Sequence, residues 1–313
     1  MLVRVAAFFF CCHFLWSFGL LFVNLRQFMD YTLNIRGQLV SLEKPQVMGI
    51  LNATPDSFFA DSRQQTEQQI AMRARQIIEE GGSMIDVGAY STRPGASEVT
   101  QEEEMKRLRQ ALAIVRREQP EAILSVDTFR ADVARMAVEE FGADIINDVS
   151  EGQDEKMFRV VSRLRVPYIL MSIQANLHDT LMSFARKVQQ LRDLGQKDII
   201  LDPGFGFGKT LEENFVLMNE MERLQVMELP LLVGISRKSM IYKTLACTPA
   251  EALNSTTMLN TIALMKGASI LRVHDVKAAV ECCQLFNSLT PDTSLGQRTL
   301  ATSGTQEHPT PNT

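Results

Sequence analysis

Cysteine and histidine are scarce in this chain, and their spacing does not suit a metal site. Cys11, Cys12, Cys247, Cys282 and Cys283 form two adjacent pairs and a singleton. That is neither zinc-finger spacing nor the density of a secreted disulfide scaffold, so buried free thiols in a reducing, cytoplasmic setting are expected. His13, His178, His274 and His308 are too scattered for a zinc site. Positive charge is not in excess either. A net charge of -5 and a pI near 5.5 provide no global basic field for nucleic acid or an anionic membrane, though a local basic pocket stays open. Low apolar content, the mark of disorder, is also missing. With 45% hydrophobic and 22% charged residues, the 313-residue chain can bury one large core or two small ones.

What is present begins with VAAFFFCCHFLWSFGLLFV, residues 5–23, nearly as long as the about 20 residues of a membrane span. Signal peptide, membrane anchor and a segment upstream of the true start are the three readings. The third is preferred, because Met29 opens a soluble-looking stretch with its own strand pair. Residues 1–28 are therefore set apart from a folded unit at 29–290. Residues 291–313 carry no apolar period and are expected to be a disordered tail.

Between these ends, short apolar runs alternate with helical stretches. The strands are expected at 47–51, 84–87, 122–126, 144–147, 167–171, 198–201, 229–235 and 269–273. Helical periodicity follows nearly every one, as in TQEEEMKRLRQALAIVRRE, whose leading acids and trailing arginines suit a helix dipole. Eight such units predict a single (β/α)8 TIM barrel rather than a doubly wound sheet. Polar and glycine-rich signals recur after nearly every strand, as they should when all the C-terminal strand ends surround one site.

The most distinctive of those loops is LDPGFGFGKT, 201–210. Its last three residues imitate a nucleotide P-loop, but that motif needs glycine where Pro203 stands. An acid at a strand end, three glycines, and Phe205 and Phe207 as flat apolar faces describe a pocket wall instead.

The residues just past the strands sort into two zones. Asp127, Asn147, Asp202 and Lys238 could read the edge of a flat heterocycle rich in N–H groups and ring nitrogens. Asn52, Thr92, Arg93, Arg272 and His274 suit a phosphate or diphosphate. Asp56, Asp148, Ser236 and Arg237 occupy similar positions. Any one of these could be a helix cap; their shared placement argues for a site.

MGILNATPDSF (48–58), IDVGAYSTRPGA (85–96), SVDTF (125–129), IINDVS (145–150), ILDPGFGFGKT (200–210), LLVGISRKSMI (231–241) and ILRVHDV (270–276) resemble, in order, the signature segments of the dihydropteroate synthases. This family of folate biosynthesis is the target of sulfonamides. The resemblance spans about 30–288 and implies a Mg²⁺-dependent transferase on a TIM barrel. It would join 6-hydroxymethyl-7,8-dihydropterin diphosphate to 4-aminobenzoate and release diphosphate. By resemblance, Asp127, Asn147, Asp202 and Lys238 hold the pterin, with Met171 and Phe207 lining its slot. Asn52 contacts the metal and diphosphate, and Arg272 and His274 bind the diphosphate. Phe58, Thr92, Arg93, Pro94, Ser236 and Lys238 surround the aminobenzoate. Lys238, Arg272, His274 and Asp127 form the implied catalytic set, and a homodimer through late helices is implied as well.

The chain also departs from the family pattern. Met171-Ser172-Ile173-Gln174-Ala175 replaces a Met-His-Met-Gln-Gly segment and opens a shorter loop. Glu151 and Ser255 stand where glycine is expected, and Phe59-Ala60-Asp61-Ser62 replaces a glycine-bearing sequence. If those glycines served positive φ, each replacement would cost about 1 kcal/mol or more. The rival readings are a pterin-binding paralogue with impaired catalysis and a related pterin-binding methyltransferase. The second is disfavoured by STRPG and SRKS together.

Overall fold

A computed structural model describes residues 31–53, 63–90 and 99–289. Ten strands and nine α-helices are formed among these described residues. The chain opens with an antiparallel hairpin, β1 (Thr32–Ile35) and β2 (Gln38–Ser41). Eight parallel strands then close into a barrel. They are β3 (Gln46–Asn52), β4 (Met84–Gly88), β5 (Ile123–Asp127), β6 (Ile145–Asp148), β7 (Tyr168–Met171), β8 (Ile199–Asp202), β9 (Leu231–Val233) and β10 (Ala268–Val273). β10 pairs with both β9 and β3 and completes the ring.

The helices are α1 (Arg63–Glu79), α2 (Gln101–Glu118), α3 (Ala131–Phe141), α4 (Met157–Leu164), α5 (Leu177–Asp193), α6 (Leu211–Glu220), α7 (Ser239–Tyr242), α8 (Leu253–Met265) and α9 (Val276–Leu289). After α6 the chain tightens into a 3-10 segment at Met221–Met227. A 3-10 turn, Pro249–Glu251, leads into α8. α7 is an extra single turn at the mouth, and Lys238 is its N-cap residue.

Strand alternation divides the core in two. Outward residues such as Val87, Val126, Tyr168, Leu201 and Val273 pack against the helices. Inward residues near the strand starts, Met48, Met84, Ile145, Ile169, Ile200, Leu232 and Ile270, meet Leu33, Ile35 and Leu42 of the hairpin region, which plugs the lower end. Each large apolar side chain so buried contributes about 1.5–3 kcal/mol. Arg36 ties the hairpin down through a two-pronged ion pair to Asp144, at 2.7 and 2.8 Å. With the lower end filled, the next inward positions toward the C-terminal ends are Asp86, Ser125, Asn147 and Arg272, and chemistry replaces packing there.

No helix among the described residues is long and apolar enough to cross a membrane. Residues 1–30 and 290–313 lie outside the described residues, as do 54–62 and 91–98, and with them Asp56, Phe58, Thr92, Arg93 and Pro94.

Candidate active site

Arg272 organises the mouth. Its Nε donates to Asp86 Oδ2 at 2.6 Å and its Nη2 to Asp127 Oδ2 at 2.7 Å. Register explains the geometry: Asp86 lies beside Ser125, Asp127 lies beside Asn147, and Arg272 reaches across from β10. Asp86 is fully buried and also accepts from Ser125 Oγ at 2.6 Å and Asn147 Nδ2 at 3.1 Å. Burial works against the Arg272 charge, yet Asp86 and Asp127 outweigh it and hold the guanidinium pKa above its ordinary value. Burial pushes the Asp127 carboxyl up to about 7, against the pull of Arg272, and Asp86 and Glu104 add to the rise. Asn147 Oδ1 is buried with no partner. A buried acceptor beside a carboxylate is what an N–H-bearing ring edge satisfies.

The second wall comes from the glycine-rich loop after β8. Asp202 accepts from Gly204 N at 2.8 Å, and burial raises its pKa while Lys238 opposes the rise. Gly204 has φ +71, and a Cβ there would lie 1.9 Å from Ser172 O, so glycine alone lets this loop touch the loop after β7. Phe207 is half-buried with Lys238 Nζ 4.5 Å from its ring centre. Phe205, the other candidate face, is buried in the core between strands and helices, and its carbonyl accepts from Lys238. Met171 is fully buried at the end of β7. Burial brings the Lys238 ammonium down to about 8, with Asp202 pulling the other way.

Lys209, the P-loop look-alike, turns inward to the carbonyls of Ser172, Gly204 and Phe207 at 3.2, 3.0 and 3.1 Å. It fastens the loop after β8 to the loop after β7.

Ser236 is buried, and its Oγ accepts from the His274 backbone N–H at 3.2 Å. The same Oγ lies 3.1 Å from His274 Nδ1. Burial, then Arg272, lowers the His274 pKa to about 4, so at neutral pH His274 is a neutral donor and Arg272 carries the charge. Asn52 lies at the exposed end of β3 beside Gly88.

Two residues gathered with the strand ends serve the scaffold. Arg237, at φ 54, is bound to Asp275 at 2.8 Å and to the carbonyls of Pro249 and Ala250. Asp148 faces away from the mouth and accepts from Tyr168 Oη at 2.6 Å and from Ser150. Asp86, in contrast, is absent from the residues gathered by position, because it lies inside a strand and not after one. Its signal was the two-residue alternation Met84, Asp86, Gly88 on the inward face.

Comparison with known proteins agrees in extent and kind. The family described as pterin binding enzyme matches residues 48–274. The dihydropteroate synthase of Escherichia coli (strain K12) is 36% identical over 268 residues, covering 81% of this chain and 94% of its own. The chain belongs to the dihydropteroate synthases. That of Clostridium beijerinckii is 39% identical over 245 residues, covering 75% and 90%. Among solved structures, Xanthomonas albilineans dihydropteroate synthase with 4-aminobenzoic acid superposes with a TM-score of 0.77 at 32% identity, over 84% of this chain and 99% of that one. The same enzyme in complex with 7,8-dihydropteroate gives 0.76 at 30% identity, over 84% and 100%. A Yersinia pestis dihydropteroate synthase with a sulfonamide drug gives 0.74 at 34%, over 83% and 99%. The TIM barrel expected from the sequence is the observed fold.

Proposed function

We infer that the barrel mouth condenses 6-hydroxymethyl-7,8-dihydropterin diphosphate with 4-aminobenzoate to give 7,8-dihydropteroate and diphosphate, as a transferase of folate biosynthesis. The observation that carries this reading is Arg272 bridging Asp86 and Asp127 next to the unpaired Asn147 Oδ1. That arrangement offers carboxylate and amide acceptors to a ring edge with a fixed cation alongside.

In this reading Asp127, Asn147 and Asp202 accept the N–H groups of the pterin, Lys238 donates to it, and Met171 and Phe207 flank its faces. Arg272 supplies charge and His274 a neutral N–H to the diphosphate. The bond from the pterin methylene carbon to the diphosphate oxygen breaks first, and the ring delocalises the cation left behind. The aryl amine then forms the new C–N bond and releases its proton to solvent. An aromatic amine is nucleophilic at neutral pH without help, which fits a mouth built of acceptors and cations. Thr92, Arg93, Pro94, Phe58 and Ser236 are assigned to the aminobenzoate side by resemblance.

Mg²⁺ suits the donors present only as an ion that arrives with the diphosphate. No cluster of three or more His, Cys, Asp or Glu among the described residues could hold a metal. The Asn52 amide oxygen would be a single protein ligand, with phosphate and water oxygens completing the sphere, the usual division for this ion. When bound, it would neutralise charge on the leaving diphosphate. A second copy of the chain is assigned to the late helices, where Met258 and Met265 of α8 and Leu285 and Leu289 of α9 are exposed at 58%, 68%, 69% and 77%. Free thiols at Cys247, Cys282 and Cys283 suit a cytoplasmic setting.

Diphosphate release from purified protein tests the function. Diphosphate release that depends on the pterin diphosphate and Mg²⁺, with 7,8-dihydropteroate formed only when 4-aminobenzoate is added, is expected. Pterin binding without release would overturn it in favour of an impaired paralogue.

A further inference from the structure

Glu151 is buried at 3% exposure with φ +63, a conformation that costs any residue with a side chain. Its three partners come from two elements, α5 and the loop after β7. Oε1 accepts from Ser183 of α5 at 2.6 Å, and Oε2 accepts from Gln174 of the loop after β7 at 2.9 Å. Lys187 donates to its carbonyl oxygen and lies 3.8 Å from Oε2. A strained backbone persists where the surroundings over-determine it, and here they converge on one carboxylate.

The loop that Glu151 grips carries the pterin-facing wall. Ser172 and Ile173 lie directly against the glycine-rich loop: hypothetical Cβ atoms on Gly204 and Gly208 would be 1.9 Å from Ser172 O and 2.9 Å from Ile173 O. Lys209 closes the same contact from the far side through Ser172 O, Gly204 O and Phe207 O. Met171 precedes this loop and Phe207 sits in the next, so the spacing between them depends on where residues 172–174 are fixed.

We propose that Glu151 is a positioning residue for pterin binding that acts through Gln174, fixing the short loop after β7 against the glycine-rich loop and so the placement of Met171 relative to Phe207. The proposal rests on the pterin site assigned above. In a chain whose loop after β7 is short, the carboxylate supplies a tether that loop length does not.

The test measures steady-state kinetics and equilibrium binding of 6-hydroxymethyl-7,8-dihydropterin diphosphate on the full chain. E151A and Q174A are expected to raise KM and Kd for the pterin diphosphate about ten-fold, the scale of one lost charge-assisted hydrogen bond, with kcat within about two-fold. E151Q, which keeps both partners once the Gln174 amide turns over, restores binding. S183A removes one contact to α5, keeps Lys187 and Gln174 in place, and leaves KM unchanged. Q174A keeps the Glu151 anchor to α5, so it remains informative if E151A fails to fold. Unchanged pterin affinity in Q174A, or an equal rise in S183A and Q174A, overturns the proposal and leaves Glu151 as a scaffold residue. Wild-type protein that binds no pterin diphosphate would instead overturn the function itself.

Discussion

Asp86 and Arg272 meet inside the barrel at 2.6 Å, with the Asp86 side chain fully buried and that of Arg272 18% exposed. One face of the guanidinium is thereby committed to the protein, and the rest is fixed in direction toward Asp127 and the mouth. A cation held this way needs little reorganisation when an anion arrives. Removing the Asp86 charge should free Arg272 without changing side-chain volume much. D86N is expected to lower kcat/KM for pterin diphosphate about 100-fold, equivalent to about 2.7 kcal/mol, on the scale of a buried charge-assisted contact. Steady-state kinetics with circular dichroism as a folding control will measure this. Activity within three-fold of wild type would remove Asp86 from the machinery.

The two shifted groups assigned to the proposed pterin site define a pH window. Asp127, raised by burial to about 7, is protonated below that pH and loses acceptor capacity. Lys238, lowered by burial to about 8, loses its charge above that pH. The kcat/KM for pterin diphosphate should therefore rise with an apparent pKa of about 7 and fall with one of about 8. On residual activity, D127N should lose the acid limb. K238R should lose the alkaline limb, because a guanidinium stays charged up to about pH 12. A profile flat from pH 6 to 9 would contradict both assignments. His274, at about 4, lies outside this window.

These groups were legible in the sequence to different degrees, for physical reasons. Asp127, Asn147, Asp202 and Arg272 lie at or near the C-terminal ends of strands recognisable by their apolar β-branched runs, so the barrel order alone brings them together. Asp86 escaped because polarity inside a strand is ambiguous until one knows which face is inward. The neutral state of His274 could not be read either, since it depends on burial and on Arg272 nearby. Glu151 was visible as a departure at a glycine position, and its φ of +63 bears that out, but its grip on Gln174 is tertiary.

Lys238 combines a depressed pKa, a carbonyl partner at Phe205 and a position over the Phe207 ring. Truncation removes the donor and the contact that holds the loop against α7. K238A should lower turnover by about 1,000-fold, the upper scale for loss of one preorganised electrostatic group, while the thermal midpoint stays close to wild type. Unchanged turnover would sink the assignment.

Two positive-φ glycines, Gly142 capping α3 and Gly204 in the loop after β8, separate backbone strain from close approach. At Gly142, φ is +61 and a Cβ would meet nothing within 4 Å, so G142A carries backbone strain alone, about 1 kcal/mol. At Gly204, φ is +71 and the Cβ would lie 1.9 Å from Ser172 O, so the two loops must separate. G204A is expected to be destabilised by at least about 3 kcal/mol and to lose pterin affinity. Urea unfolding of both variants decides it; equal costs would mean that strain alone governs the loop.

The lower end of the barrel supplies a control for all of these. Asp144 accepts from Arg36, from Arg116 at 2.9 Å and from Leu124 N at 2.9 Å. Burial favours its neutral form, but the Arg36 bond, the Leu124 N–H and Arg116 outweigh burial and hold its pKa below the ordinary carboxylate value. For an acid whose folded pKa is depressed, the stabilisation is present above the unfolded value of about 4 and is lost as pH falls through the lower folded value. D144A leaves Arg116 facing the gap and unties the hairpin. It should therefore cost about 3 kcal/mol at pH 7, the lower bound for breaking a buried pair, and less below pH 4. Because the hairpin closes the end opposite the mouth, KM for both substrates should match wild type. A D144A variant as stable as wild type at pH 7 would show that the apolar plug of Leu33, Ile35 and Leu42 holds the hairpin without the ion pair.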